Sequence, residues 1–252
     1  MSGSSQNQGD ALVPAVPSEH RKKLRIGFML CSAAFALALF ELLGTYGAIL
    51  VASANGVNLQ KEFELQMKLV REVSDGVYNA LFIAGLINLY VAPTGPRWRW
   101  AGTALLGMVG MDVSFQCLRI AGSGPAVLAV VELIGGGLNW AELWLIAILA
   151  AEAAETLLRS DLTYQTEVAG RMIVAGAVAW LAFVIWTFDV QTFAEPAANQ
   201  HSDDFAGVLL AGMVVIQLFV LARSMLFCGG LATALAHPIE PPPTGQAASP
   251  NE

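Results

Sequence analysis

Four acidic residues interrupt long apolar stretches of the sequence and are the first candidates for chemistry: Glu41, Asp112, Glu132 and Glu142. An ionisable side chain inside an apolar membrane helix is costly, and it is by default a candidate for function. A carboxylate that is held away from water without a fixed partner is neutralised by binding a proton or a cation. One hypothesis is therefore a proton or cation site, with Glu41 and Asp112 at similar depth.

Asp112 is followed by Gln116 and Arg119, at spacings of four and seven residues. In a helix these spacings place the three side chains on one face. Such a polar stripe must face protein or water, and it could form part of an ion path. The alternative is structural, because an amide could satisfy Asp112 and fix the packing of two helices. The candidate amides are those of Gln116, Asn79 and Asn88.

A second polar and aromatic group lies within the longest apolar stretch and consists of Asn139, Trp140, Glu142 and Trp144. Two indoles and a carboxylate could line a small-molecule pocket, and they could equally be buried against neighbouring helices. Glu132 and Glu142 are separated by about 280° around a helix, at roughly 100° per residue. The sequence therefore does not favour a continuous acidic groove along this helix.

The amino-acid composition indicates what class of protein carries these residues. Of 252 residues, 56% are hydrophobic and 13% are charged, and the mean hydropathy is +0.59. A soluble domain carries about a quarter charged residues, so we expect an integral membrane protein whose surroundings are the lipid bilayer. Thirteen Lys and Arg residues against 20 Asp and Glu residues leave no positive surplus, so no nucleic-acid partner is expected.

A helix needs about 20 apolar residues to cross the hydrocarbon core of a bilayer. The candidate spans are 26–51, 77–91, 101–120, 126–158, 168–188 and 205–227. They predict an all-α polytopic membrane helix bundle of about six transmembrane helices. The fourth span is either one long helix or a helix broken at Gly135, Gly136 and Gly137. The single helix is favoured because no polar turn separates its halves.

The basic residues predict the orientation of the chain. Most of the 13 Lys and Arg residues flank helix ends on the same side as the N-terminus, and cytoplasmic flanks accumulate Lys and Arg. Both termini are therefore expected in the cytoplasm, with the chain in the inner (plasma) membrane of a cell. The run Arg97-Trp98-Arg99-Trp100 is expected to anchor the start of the third span in the headgroup region.

The parts of the chain outside the membrane are expected to be small. Residues 1–23 and the Pro-rich residues 237–252 are typical of disordered tails. Residues 58–75 combine apolar residues at helical spacing with interleaved charges, which predicts an amphipathic external helix that leads into the second span. At the end of the fourth span, Glu155 and Arg159 are expected to pair across one helical turn.

The sequence provides neither ligands nor motifs for a cofactor enzyme. The three histidines lie outside the predicted spans, which leaves intramembrane haem and copper without their usual ligands. The sequence contains no zincin, serine-hydrolase, P-loop or dinucleotide motif. The cysteines share no metal-binding spacing and are interpreted as small packing residues. No cofactor and no metal are therefore expected.

The simplest function for such a chain is that of a non-enzymatic membrane component that packs with itself or with a partner membrane protein. The alternative is a small transporter or channel with a proton or cation path. The residues of that path are Glu41, Asp112, Gln116, Glu142, Asn139 and Trp140. The two hypotheses differ in one geometric respect, because transport requires polar groups from several helices to converge in one place.

Overall fold

The computed structural model describes residues 18–54, 61–92, 96–122, 124–157, 159–193 and 199–236. Within these ranges every regular element is an α-helix, as the sequence predicts. The helices are α1 (Ser18–Ala54), α2 (Lys61–Val91), α3 (Pro96–Ile120), α4 (Pro125–Thr156), α5 (Ser160–Phe193) and α6 (Asn199–Ala234). The tails predicted at residues 1–17 and 237–252 lie outside the described residues.

Five of these helices are long and apolar enough to cross a membrane. Their apolar segments are Ser18–Ala48, Pro96–Arg119, Leu133–Thr156, Ser160–Ile185 and Ala211–Ala234. Large apolar side chains are exposed on every helix, among them Phe40, Val178 and Phe219. Such a surface suits lipid rather than water. The chain is therefore a multi-pass membrane protein.

The helix α2 does not meet the same criterion, although it is 31 residues long. Its first part carries Lys61, Glu62 and Glu64, and only residues 77–91 form an uninterrupted apolar segment. The predicted external helix and the predicted second span thus form one continuous helix from Lys61 onward. Residues 58–60 of the predicted external helix lie outside the described part of the chain.

Most of the helices extend beyond the predicted spans. The helix α1 begins at Ser18, so residues 18–23, which were assigned to the disordered tail, are helical. The helix α5 begins at Ser160, and α6 continues to Ala234. The apolar pattern marks only the part of a helix that suits lipid, whereas Glu, Lys and Arg are good helix formers that extend it further.

The helix α4 runs without interruption from Pro125 to Thr156. Pro125 occupies the first turn, where its missing N–H costs no hydrogen bond. The run Gly135, Gly136 and Gly137 lies inside this helix and does not break it. The favoured alternative for the fourth span, a single long helix, is therefore confirmed.

The predicted pair of Glu155 and Arg159 is replaced by a different ion pair. The α4 helix ends before Arg159, so the two residues are not one turn apart on a common helix. Instead Arg159 donates two hydrogen bonds to the carboxylate of Asp161, with N···O distances of 2.9 and 2.8 Å.

The helices form a closed ring in chain order. Each helix packs against the next, and α6 returns to pack against α1. The helix α4 also contacts α6, whereas the described residues of α2 and α4 make no direct helix contact. Side chains of α2 and α4 that interact must therefore do so in the interior of the bundle.

Short connections make consecutive helices antiparallel, so α1, α3 and α5 begin at one end of the bundle. We call this the basic end because its described residues include Arg21, Lys22, Lys23, Arg25, Arg97, Arg99 and Arg159. We call the opposite end, at which α2, α4 and α6 begin, the far end.

Trp98 is a core residue and not the headgroup anchor that the sequence predicts. Its side chain is 1% exposed, and its ring packs edge-on against Phe28. Its indole N–H donates a hydrogen bond of 2.8 Å to the carbonyl of Leu89. That carbonyl belongs to the last turn of α2, where backbone acceptors lack partners within the helix. Trp100, by contrast, is 59% exposed.

The helices α1 and α2 approach closely at Gly27 and Gly85. A Cβ atom at Gly27 would lie 2.6 Å from Leu89 Cδ2 and 3.0 Å from the carbonyl oxygen of Gly85. A Cβ atom at Gly85 would lie 2.8 Å from Cys31 Sγ. Small residues at such positions let two backbones pack tightly, which is the usual way that membrane helices associate.

Candidate functional site

Glu142 is the most deeply buried acid among the described residues. It lies on α4 within the apolar segment Leu133–Thr156, and its side chain is 4% exposed. Its Oε1 atom is fully buried and has no hydrogen-bond partner. A buried polar group without a partner normally costs about 1–3 kcal/mol, so this carboxyl group requires an explanation other than packing.

Two other ionisable groups interact electrostatically with Glu142. The phenol of Tyr78, on α2, interacts electrostatically with Glu142 and with Asp112. Asp112, on α3, also interacts directly with Glu142. Three helices thus contribute two carboxyl groups and one phenol that interact electrostatically. With Asn79 they form what we call the polar core: Glu142, Asp112, Tyr78 and Asn79.

Asp112 is held by a neighbouring helix. The side-chain amide of Asn79 donates to Asp112 Oδ2 over 3.4 Å, and Asn79 is itself 6% exposed. The sequence predicted Asn79 as one of three candidate partners. Asn88, the second candidate on α2, instead donates to the carbonyl of Ala84 on its own helix. The long distance from Asn79 leaves Asp112 only weakly bound on this side.

The ring of Tyr78 stacks on a neighbouring aromatic ring of its own helix. That ring belongs to Phe82, with the centroids 5.5 Å apart, and Phe82 packs against Phe35 of α1 at 5.7 Å. Phe82 and Phe35 are both fully buried. These contacts fix the position of Tyr78 and make the surroundings of the polar core apolar.

Trp140 is a packing residue between α4 and α5. It is 4% exposed, and its ring lies directly over Gly176, where a Cβ atom would overlap with it. Likewise, Trp180 of α5 lies over Gly136 of α4, where a Cβ atom would be 2.8 Å from the indole ring. Each helix thus places a tryptophan in the space left by a glycine of the other, and each glycine precedes its own tryptophan by four residues.

The predicted pocket between two indoles and a carboxylate does not form. Trp140 is buried against α5, whereas Trp144 is 41% exposed on the surface of the bundle. Asn139 is exposed as well. Successive positions on a helix are rotated by roughly 100°, so neighbours in sequence face different surroundings.

The remaining predicted acids lie apart from the polar core. Glu41 is half-buried on α1 and is not among the groups that act on Tyr78 or Glu142. The side chain of Glu132 lies outside the described residues. Of the two acids predicted at similar depth, Asp112 acts electrostatically on Glu142, and Glu41 is not among the groups that do so.

The polar stripe of α3 is present and is half-buried along its length. Asp112, Gln116 and Arg119 follow one another toward the far end of the bundle. Arg119 lies beside α4, since a Cβ atom at Gly135 would be 3.6 Å from Arg119 Nη2. The stripe thus connects the polar core with the last turn of α3.

Sequence reasoning missed two features of this region. Tyr78 was not singled out, although a hydroxyl group beside Asn79 at the start of an apolar segment is a usable signal. The repeated pattern of Gly136 with Trp140 and Gly176 with Trp180 was also overlooked, and it is visible as a glycine four residues before a tryptophan in two neighbouring helices.

Within the described ranges no three His, Cys, Asp or Glu side chains lie close enough together to hold a metal ion. The polar core contains instead the groups that exchange protons, namely two carboxyl groups and a phenol. Comparison of the chain with protein-family models, with curated proteins and with solved structures finds no match in any of the three.

Proposed function

We propose that the chain is a small membrane transporter or channel in which Glu142 binds and releases a proton. One observation carries this proposal: Glu142 is buried in an apolar segment, and its Oε1 atom has no hydrogen-bond partner. An isolated ionised carboxylate is very costly in such a place, whereas its protonated form is neutral. A group held in this way is suited to exchanging a proton.

The neighbouring groups support the same function. Asp112 acts electrostatically on Glu142, and the two carboxylates repel each other when both are ionised. One proton shared between them removes that repulsion. Tyr78 is a further hydroxyl group near both acids, and it offers a donor and an acceptor for proton transfer.

The surroundings of Glu142 differ toward the two ends of the bundle. Toward the far end, Asp112 and Gln116 continue a half-buried polar stripe. Toward the basic end, the next buried residues of α4 are Leu145, Ile146 and Leu149, each at most 1% exposed. A proton therefore has a polar route on one side and an apolar barrier on the other, an arrangement suited to controlled rather than free passage.

The proposal includes a membrane topology. The helix α2 packs between α1 and α3 in the ring and completes a set of six spans. The basic end then lies in the cytoplasm, because Lys and Arg accumulate there, and both chain termini lie on that side. The membrane is the inner (plasma) membrane of a cell.

A proton-flux measurement tests the proposed function. Purified protein is reconstituted into vesicles that contain a pH-sensitive dye, and a potassium diffusion potential drives proton entry. We expect uptake by the wild type and its loss in Glu142→Gln, which keeps the side-chain shape and removes the titratable group. The matched control is Glu167→Gln, because Glu167 is exposed on α5. Equal uptake by wild type and Glu142→Gln would contradict the proposal.

A second candidate is a non-enzymatic membrane component that acts through packing with itself or with a partner membrane protein. The reciprocal contacts of Trp140 with Gly176 and of Trp180 with Gly136 support it, since they are purely structural. The bond from Asn79 to Asp112 is of the same kind. For such a protein the vesicles take up protons no faster than protein-free vesicles do.

A further inference from the structure

Arg119 is a charged residue for which the fold described so far gives no role. It lies in the last turn of α3 within the apolar segment Pro96–Arg119. Its side chain is half-buried, and its Nε atom is fully buried without a hydrogen-bond partner. An arginine inside a span is costly and normally pairs with another group.

The guanidinium group of Arg119 lies beside α4. Helical side chains lean toward the N-terminus of their helix, so Arg119 leans back toward Gln116. Its Nη2 atom would be 3.6 Å from a Cβ atom at Gly135. Gly135 is ten residues into α4, which corresponds to about 15 Å along the helix. The charge is therefore held beside α4, away from the end of the hairpin.

Arg159 shows what an ion pair of this type looks like in the same molecule. It donates from Nε and Nη2 to both oxygens of Asp161. For Arg119, no described residue accepts a hydrogen bond from the Nε atom. The planar guanidinium group offers parallel N–H donors that match the two oxygens of a carboxylate or phosphate.

We infer that Arg119 binds an oxyanion through its guanidinium N–H groups, where its Nη2 atom lies beside Gly135 of α4. The ligand class is a carboxylate or a phosphate group. Gln116 lies one turn along the same face and can contribute a side-chain amide donor. This binding site does not depend on proton exchange at Glu142. Only the further step, that the bound anion is the transported substrate, rests on the proposed function.

The oxyanion has two possible sources, a small soluble anion and the phosphate of a membrane lipid. The first experiment uses the full chain in a non-ionic maltoside detergent and the arginine reagent phenylglyoxal, with modification followed residue by residue by mass spectrometry. The probes are acetate, inorganic phosphate and phosphatidylglycerol, each added separately. Arg171 is the internal control, because its side chain is 83% exposed.

We expect acetate or inorganic phosphate to slow the modification of Arg119 by about tenfold when its concentration is ten times its dissociation constant. Modification of Arg171 should not change. Protection by phosphatidylglycerol alone would assign the site to a lipid phosphate and overturn the assignment of a soluble substrate. Absence of protection by all three probes would overturn the oxyanion site.

A second measurement tests the oxyanion site even if Arg119 does not react with phenylglyoxal. Calorimetric titration with acetate and with inorganic phosphate is compared for the wild type and Arg119→Gln. Binding by the wild type that is lost in Arg119→Gln supports the site, and equal titrations overturn it. Arg119→Lys should bind more weakly than the wild type, since lysine keeps the charge and loses the planar pair of donors.

The outcomes for Arg119 and Glu142 are separable. Oxyanion binding at Arg119 without proton uptake through Glu142 leaves the binding site in place and removes the transporter. Proton uptake that depends on Glu142, without oxyanion binding at Arg119, retains the proposed function and removes the inferred ligand class.

Discussion

At the scale of single residues, the carboxyl group of Glu142 lowers the stability of the fold and serves the proposed function. Its Oε1 atom is buried and unpartnered, so the folded state bears the desolvation of that atom without a compensating hydrogen bond. A residue that served packing alone would not require a carboxyl group at this position. Natural proteins accept such local destabilisation mainly at functional sites.

Replacement of Glu142 should therefore separate stability from function. We predict that Glu142→Met, which has a similar length and no buried polar oxygen, raises the free energy of unfolding by about 1–3 kcal/mol. Proton uptake should be lost in the same variant. Unfolding in mixed detergent micelles gives the first quantity and the vesicle experiment gives the second. A clear loss of stability would mean that the carboxyl group has a structural partner and would contradict its role in proton exchange.

The bond between Asn79 and Asp112 is expected to make a small contribution. Hydrogen bonds between membrane helices average about 0.6 kcal/mol, and this one is long at 3.4 Å. Asn79→Ala should accordingly destabilise the bundle by about 1 kcal/mol or less, measured as above. A loss of several kcal/mol would show that the polar core is mainly a structural element.

At the scale of helices, the contact between α4 and α5 depends on two spaces that glycine leaves open. The ring of Trp180 occupies the space at Gly136, and the ring of Trp140 occupies the space at Gly176. Because α4 and α5 are antiparallel, Gly136 of α4 lies opposite Trp180 of α5, and Trp140 of α4 lies opposite Gly176 of α5. This contact fixes the position of the neighbouring turn of α4, which carries Glu142.

Filling one of these spaces should disrupt the contact. Gly136→Leu forces Trp180 out of its position, and overpacking of this kind costs about 1–3 kcal/mol. The matched control is Gly107→Leu, because a Cβ atom at Gly107 meets no atom within 4 Å. Thermal unfolding in detergent compares the two variants, and equal melting temperatures would contradict the proposed contact.

A double-mutant cycle examines the second pair. Gly176→Ala places a methyl group against the ring of Trp140, and Trp140→Leu removes that ring. The double variant should lose less stability than the sum of the two single variants, by about 0.5–3 kcal/mol. Strict additivity would show that the two residues are not in contact.

At the scale of the whole molecule, the number of spans determines where the termini lie. Five helices have membrane-spanning composition, and α2 lies between two of them in the ring. If α2 also crosses the membrane, the number of spans is even and both termini share one side. If it does not, the termini lie on opposite sides.

We predict that both termini are cytoplasmic. Reporter fusions to each end, one active only in the cytoplasm and one active only outside it, measure this directly. Both ends should give the cytoplasmic signal, because the basic residues cluster at the end where α1 begins and α6 finishes. A C-terminus outside the cytoplasm would remove α2 from the set of spans.

The sequence contains enough information to predict the class of fold and part of the site. Apolar stretches of membrane-spanning length give the helices, and Glu142 and Asp112 are conspicuous as acids within such stretches. Asn79 could also be named as a partner of Asp112. These features depend on local composition, which requires no knowledge of how the helices are arranged.

The neighbours of each side chain could not be predicted in the same way. The proximity of Tyr78 to Glu142 joins α2 and α4, which are not adjacent in the ring. Whether Trp140 or Trp144 faces inward depends on the rotation of α4 about its axis, which is set by Gly176 on another helix. The neighbours of Tyr78 and the face of α4 that points inward are both properties of the assembled bundle.

Proton exchange at Glu142 can be measured through its reaction with a hydrophobic carbodiimide in membranes, followed residue by residue across a range of pH. This reagent modifies protonated carboxyl groups in apolar surroundings. We predict that Glu142 is modified at low pH, that modification declines as the pH rises, and that exposed Glu167 is not modified. Absence of modification at every pH, or modification that does not depend on pH, would contradict a carboxyl group that exchanges protons with water.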